Sequence, residues 1–280
     1  MKKIIRRLIL LFILAGLLSD MLQICVTFGK VMNLTKGINE TAAFRNLRLS
    51  EAALGALKEV NVSQGVSVGN LIAAWMPENQ FALTRSDGLS VEHYQEWSGL
   101  FLKYRPDEYL DLISSYQAIF DDLVYFPVSI PVNYCDSWMA ARTYGGERRH
   151  EGCDLMPPHN MRGQYPILSM TDGIVEEIGW LEQGGYRIGI RSPHGGYFYY
   201  AHLASYAVAF HQGDVIKAGT LLGYMGDSGY SKVEGTTGKF DVHLHLGIYI
   251  KTAHHQEVSV NPYWVLRCLE GYKLKYKYYL

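Results

Sequence analysis

The run DVHLHLGIYI at 241–250 alternates apolar residues with polar or small ones, and its polar side carries His243 and His245. Period two is the pattern of a strand with one packed face and one open face. On such a strand the two Cα atoms stand roughly 6.6 Å apart and both rings enter one cleft. Imidazole ligates metals and moves protons near neutral pH. The spacing alone leaves open which ring does which. A second setting is His150-Glu151-Gly152-Cys153-Asp154. Fully extended, His150 and Asp154 lie roughly 13 Å apart, too far to share one ion. Metal–ligand bonds of roughly 2.0–2.2 Å therefore demand a bend between them, and Gly152 is where the chain can bend. A third setting is His202, which closes the aromatic run YFYYAHL and begins a turn.

Together these residues define more chemistry than each does alone. His150, Asp154 and one of His243 and His245 make a two-histidine, one-carboxylate set. Three protein ligands leave a fourth tetrahedral position for water, the arrangement of catalytic zinc. The remaining histidines are then available for proton handling and oxyanion stabilisation. Cys25, Cys135, Cys153 and Cys268 form no CxxC pair, so thiolate metal sites and iron–sulfur clusters fall away. In an exported chain the scattered cysteines could form disulfides.

These residues need a strand-rich frame, and composition locates it. Residues 34–125 read as helical and poor in glycine. Ser50 caps SEAALGALKEV with Glu51 in the first turn, and Ser90 caps VEHYQEWSGLFLKY. VGNLIAAWM (68–76) has helical apolar spacing, and Pro106 opens DEYLDLISSYQAIFDDLVYF. After Phe126-Pro127 the chain turns Gly- and Tyr-rich, with short alternating runs: GIVEEIGW, YRIGIRS, YFYYAHL, GDVIKAGTLLGYMG and DVHLHLGIYI. These predict short antiparallel strands. The fold class expected is α+β: an anchored helical N-terminal region, then a mainly antiparallel β domain over 127–280. The basic, aromatic tail GYKLKYKYYL reads as a last strand or a solvated end.

The start of the chain speaks to location. MKKIIRR carries four positive charges, and the apolar run LILLFILAGLL follows, the plan of an export signal. No clean A-x-A cleavage site follows, and apolar character resumes through Ile24-Cys25-Val26-Thr27-Phe28. Residues 8–28 are long enough to span a bilayer. The expectation is a signal anchor over 1–33, its basic end cytoplasmic and the remainder outside; a cleaved signal peptide is the alternative. The net charge of −1 over 280 residues gives no basic field for nucleic acid.

From about 140 to 266 the chain resembles the M23 peptidases, the lysostaphin and LytM-type zinc endopeptidases of bacterial cell walls. GGERRHEGCDLMPP is similar to the family's opening H-x-x-x-D, and the segment 167–203 to its paired strands ending in A-H-L. DVHLHLGIYI is similar to its H-x-H strand, and VNPYWVL to its usual close. The resemblance implies a zinc-dependent endopeptidase cutting peptide bonds of peptidoglycan. It implies His150, Asp154 and His245 as zinc ligands, with His202 and His243 as the catalytic pair. Partners implied are wall peptides, together with the membrane through the N-terminal segment.

Two departures stand out. No proline precedes His243, and 230–241 (YSKVEGTTGKFD) is a longer loop than the family's usual one; the resemblance implies that both lie at the cleft rim. Cys153 is either a small buried residue or a partner for Cys135. Two other functions compete: a non-hydrolytic envelope scaffold or activator that keeps its metal site, and a sugar-cleaving enzyme built on Glu78 in the segment SQGVSVGNLIAAWMPENQF. For that segment a helical spacer is the simpler expectation.

Overall fold

The computed structural model describes residues 2–143 and 146–275. The end of the tail, 276–280, lies outside the described residues.

Helices dominate the first part. Helix α1 (Lys2–Met32) is followed by a short 3-10 turn at Ile38–Glu40, α2 (Ala42–Asn46), α3 (Glu51–Gln64), α4 (Val68–Glu78), α5 (Val91–Tyr104) and α6 (Pro106–Phe120). The starts follow the capping chemistry. Ser50 Oγ accepts from the Ala53 amide, Ser67 Oγ from Asn70 and Ser90 Oγ from His93. Pro106 occupies the first turn of α6. Gly65 closes α3 in the left-handed conformation, where glycine is least strained. Among the described residues α1 is one helix long and apolar enough to cross a membrane. The apolar side chains along it, Phe12 and Leu22 among them, are exposed.

Helix α4 differs from a spacer. Leu71, Ile72, Ala73, Ala74, Trp75 and Met76 are all fully buried, and α4 packs on α6, α5 and α3. It is the centre of the helical layer. Glu78, at its end, pairs with His93 at 2.6 Å and Lys30 at 3.6 Å. Both its oxygens are thereby engaged as a helix-to-helix clasp.

The second part is β1 (Ala141–Arg142), β2 (Arg148–Arg149), β3 (Cys153–Leu155), β4 (Pro166–Leu168), β5 (Gly173–Leu181), β6 (Gly185–Arg191), β7 (Tyr197–Tyr206), β8 (Val215–Ile216), β9 (Leu221–Met225), β10 (Leu244–Ile250) and β11 (Val258–Val260), closed by α7 (Tyr263–Leu269). Among the described residues β3–β11 form one sheet of order β11-β10-β7-β6-β5-β8, with β3 beside β10, and β9 joining β7 to β4. The pairings in it are antiparallel. Phe198, Tyr200, Ile188, Ile190, Leu244, Leu246 and Ile248 are buried on one face. The opposite face forms the floor of a groove.

The helical layer and the sheet share one core cluster. Polar contacts stitch their edges. Arg45 donates through Nε to the Ser259 carbonyl at 2.9 Å and pairs with Glu151 at 3.2 Å. The Asp122 carboxylate accepts from the His194 amide at 2.7 Å and contacts its Nδ1 at 2.7 Å. The expected α+β class is the observed one: helices with one apolar N-terminal segment, then an antiparallel β domain.

Candidate active site

Strand β10 is central because it is paired on both sides. Its His245 lies opposite Asp154 on β3 and opposite Ala201 on β7. Cross-strand register therefore sets the Asp154 carboxylate beside the His245 ring: Nδ1 of His245 is 2.9 Å from Asp154 Oδ1. His150, just before β3, swings back over the same point. Its Nε2 is 3.0 Å from Asp154 Oδ1 and 3.1 Å from His245 Nδ1.

The bend that brings His150 to Asp154 falls at Gly152. Glycine is needed there for room more than for its backbone freedom. A Cβ at 152 would stand 2.6 Å from His245 Nε2 and 2.7 Å from the Leu246 carbonyl oxygen. The His245 ring rests directly on the bare backbone.

The donor set fits a metal ion. Three donor atoms from two imidazoles and one carboxylate lie within 4.8 Å of one another. A tetrahedral site with bonds of about 2.0–2.1 Å spaces neighbouring donors roughly 3.3 Å apart. The observed edges of 2.9, 3.0 and 3.1 Å are slightly tighter, as befits groups hydrogen-bonded to each other. The outer contacts are also those a metal site needs. His150 is only 2% exposed, and its Nδ1 lies 3.2 Å from the Ser137 carbonyl. A carbonyl only accepts, so Nδ1 carries the proton and the Nε2 lone pair faces the cluster. Arg142 donates to Asp154 Oδ2 at 2.7 Å, leaving Oδ1 toward the histidines. Burial works against ionising Asp154, but its close contacts with His150 and His245 and the nearby histidine charges hold its carboxyl well below the usual range. Burial pulls His245 down despite the opposing carboxylate, favouring neutral imidazole. Both directions leave the ligand lone pairs free.

His202 reaches the same cleft by an irregularity. Strict alternation after Phe198 and Tyr200 would point it into the core. Between the pairs Tyr186↔Leu203 and Ile188↔Tyr200 the register shifts, so Arg187 faces both Ala201 and His202. His202 takes φ of 62°, left-handed for a non-glycine, a strain on the order of 1–3 kcal/mol. The bulge turns its ring into the groove, and β7 continues to Tyr206. His202 thus sits within the strand, not at its close. Its Nδ1 lies 2.8 Å from the Ser228 carbonyl, leaving Nε2 as the free acceptor. Burial, and then the neighbouring His243 and His245, push its pKa well down.

His243 precedes β10 and bridges to Gly226. Its Nδ1 lies 2.7 Å from the Asp241 carbonyl, and its Nε2 3.7 Å from Asp154 Oδ1. The His202 and His243 rings are 4.8 Å apart by centroids. All five histidines and carboxylates singled out in the sequence thus line one groove of about 850 Å³. His194 and His211 do not line it.

Several groove residues carried no sequence signal of their own. Tyr230 and Phe240, from the long loop, meet His202 edge to face with centroids 5.8 and 4.6 Å away. The loop is pinned by Asp227, which accepts from Arg162 Nη2 at 2.8 Å and from the Gly238 amide at 2.9 Å. Tyr199 stands 6.1 Å from the His245 ring. All four cysteines are free, and Cys153 is buried facing away from the cleft. Its Sγ lies 3.5 Å from the Cys135 carbonyl oxygen.

Comparison with known proteins agrees with this geometry. Residues 148–262 match the model of peptidase family M23. A crystal structure of a candidate glycyl-glycine endopeptidase, LytM, from Ruminococcus gnavus ATCC 29149 is 44% identical in sequence, with a TM-score of 0.77. The superposition covers 89% of this chain and 98% of that one. The L-Ala–D-Glu endopeptidase of Bacillus subtilis (strain 168) is 36% identical over 188 residues, which is 64% of this chain and 56% of that relative. The chain thus spans little more than half of this second relative's length. The matched segment holds the paired histidines, the bulged His202 and the Asp154 register on one sheet, and the chain belongs to peptidase family M23.

Proposed function

We propose that this chain is a zinc-dependent endopeptidase that hydrolyses peptide bonds of bacterial peptidoglycan. The observation that carries the reading is the convergence of His150 Nε2, Asp154 Oδ1 and His245 Nδ1 within 3.1 Å, with His202 and His243 on the same groove. Two nitrogens and one oxygen suit Zn2+ better than a hard oxygen-seeking cation. Bound there, zinc would act as a Lewis acid and bring the pKa of a water to roughly 7.

The chain's own groups have distinct roles. His150, Asp154 and His245 hold the ion. Ser137 and Arg142 fix the orientation of His150 and Asp154. His202 is kept neutral by burial and has its Nε2 free, so it takes the proton of the attacking water. His243, whose Nε2 lies 3.7 Å from Asp154 Oδ1, stabilises the developing oxyanion. Tyr230 and Phe240 cover the pair and exclude water on one side.

The family and the names of its relatives support a wall peptide as substrate. Helix α1 supports a signal anchor over 1–33, with 34–126 as a helical region and 127–280 as the peptidase domain outside the membrane. Protease added to wall-stripped cells should digest the β domain; a protected domain breaks the exported reading.

The central test uses the purified full chain. Zinc content should approach one per chain, digestion of wall should release new amine ends, and chelation should remove both together. Full zinc with no amine release would overturn the hydrolase and favour an envelope scaffold with a retained metal site. Release of reducing sugar ends without amine would favour a sugar-cleaving enzyme.

A further inference from the structure

Helix α1 ends inside the protein. Its exposed apolar stretch runs to Phe28, whereas Val31 and Leu34 are buried. Between them Lys30 pairs with Glu78 at 3.6 Å and lies 5.5 Å from the centre of the Trp97 ring. Arg105 Nε donates to the Leu34 carbonyl at 2.7 Å, and α1 packs on both α4 and α5. The helix is continuous from Lys2 to Met32, so it runs into the helical layer without a break. That layer shares its core with the sheet.

A span over residues 8–28 is about 30 Å long, the thickness of the hydrocarbon layer. Phe28 then stands at the outer boundary of that layer, and so does whatever lies against it. The Tyr104 ring meets the Phe28 ring edge to face, with centroids 5.5 Å apart. Tyr104 ends α5, and this end is bare. Leu102, Lys103 and Tyr104 follow one another and are all exposed, Leu102 by 48% and Tyr104 by 41%. Successive helical residues point about 100° apart, so the turn is open around more than half of its circumference. Single exposed apolar residues are ordinary. Here the exposed turn continues the apolar surface of α1 through the Phe28–Tyr104 contact.

The residue types also suit a headgroup layer. Tyrosine favours the membrane–water boundary, with its ring toward the chains and its hydroxyl wet. The Lys103 ammonium lies 4.9 Å from the centre of the Tyr104 ring, and a lysine stem can lie along apolar surface while its charge stays in water. Arg105 is paired with Glu108 at 3.2 Å. Asp107, exposed at the start of α6, sets the depth: a carboxylate is tolerated among headgroups and is costly in hydrocarbon.

We propose that the last turn of α5, Leu102 to Tyr104, is a second membrane contact, seated in the outer headgroup layer of a phospholipid bilayer beside the exit of α1. This rests on the reading of α1 as an anchor and goes beyond it. The groove is held at a fixed height over the bilayer instead of swinging on a tether.

Photocrosslinking tests this on the full chain in vesicles of phosphatidylethanolamine and phosphatidylglycerol. The photoreactive amino acid p-benzoylphenylalanine replaces one residue at a time: Phe12 within the span, Leu102 or Tyr104 in the corner, and Val215 as control. Val215 is 75% exposed and lies on β8, at the far edge of the sheet from β11. After irradiation, lipid adducts are read by mass. Positions 102 and 104 should give lipid adducts in yields approaching that at 12, and position 215 should give none. Two separate corner positions guard against a local folding defect at either one. Adducts at 12 with none at 102 and 104 overturn the proposal and leave the anchor standing. Equal yields at 104 and 215 overturn it as well, because lipid contact would then not be specific to the corner. Corner adducts to a second copy of the chain in place of lipid also overturn it. The lack of any lipid adduct at 12 breaks the anchor reading, and this proposal falls with it.

Discussion

The two halves of the site are built in opposite ways. His150, Asp154 and His245 are placed by regular structure: a cross-strand pair, a short return and a glycine that lets one ring rest on backbone. Hydrogen bonds hold each of them tightly. His202 and His243 are placed by irregular structure: a bulge with a left-handed histidine, and an isolated bridge just before β10. Each has one nitrogen tied to a carbonyl and the other left free. A metal site needs fixed donors, and regular pairing supplies them. A proton-handling pair needs free lone pairs aimed at one point, and bulges re-aim side chains.

The sharpest break of this comparison is in the ligand half. Asp154→Ala removes the carboxylate that touches both other ligands. Zinc should fall from about one per chain toward none, and wall digestion should vanish with it. Metal analysis after dialysis checks this. Retention of zinc at wild-type affinity would mean that the three residues are not its ligands.

In the other half the effects should separate. His243→Ala and His202→Ala should keep zinc and lose turnover on the order of 10²–10⁴-fold, the usual range for a positioned acid or base. If His243→Ala emptied the site while His245→Ala left it filled, the two roles would be exchanged.

The same contrast explains what was legible beforehand. The H-x-H alternation, the Ser caps of α3 and α5, Pro106 and the change of composition near 126 are local signals, and local signals survive in sequence. The bend at Gly152 was readable, but its cause was not, because the cause is the His245 ring arriving from a strand ninety residues away. Alternation placed His202 at the end of a strand; the bulge that keeps β7 running and turns the ring outward exists only through pairing with β6. Arg187 and Tyr199 belong to the groove by topology alone, whereas Tyr230 and Phe240 lie in the loop 230–241 that the resemblance put at its rim. The segment 68–78 was periodic enough to be a helix, yet only the helices around it make it core.

A finer cut tests whether regular placement needs the bare backbone. Gly152→Ala adds a methyl where the His245 ring and the Leu246 carbonyl already stand. The ring must shift, and Nδ1 shifts with it. Metal affinity should fall about 10- to 100-fold, as when a supporting contact of a metal ligand is lost. Competition with a zinc-responsive dye reads this directly. Unchanged affinity would show that the His245 ring has slack and that the triad is less rigidly held than the pair.

The smallest expected effect lies outside both halves. His194 sits in the turn between β6 and β7 and clasps Asp122 just after α6, with its ring about half exposed. In His194→Ala the backbone amide of residue 194 can still donate to the Asp122 carboxylate, so that largely buried group keeps one of its two contacts with residue 194. The cost should be about 0.5–1.5 kcal/mol, a fall in Tm of roughly 1–6 °C for a chain of this size. Zinc content and wall digestion should stay at wild-type values. A loss of activity without a loss of stability would instead mean that the seam between the helical layer and the sheet communicates with the groove. The ligand half would then depend on the helices as well as on the strand register of β3, β10 and β7.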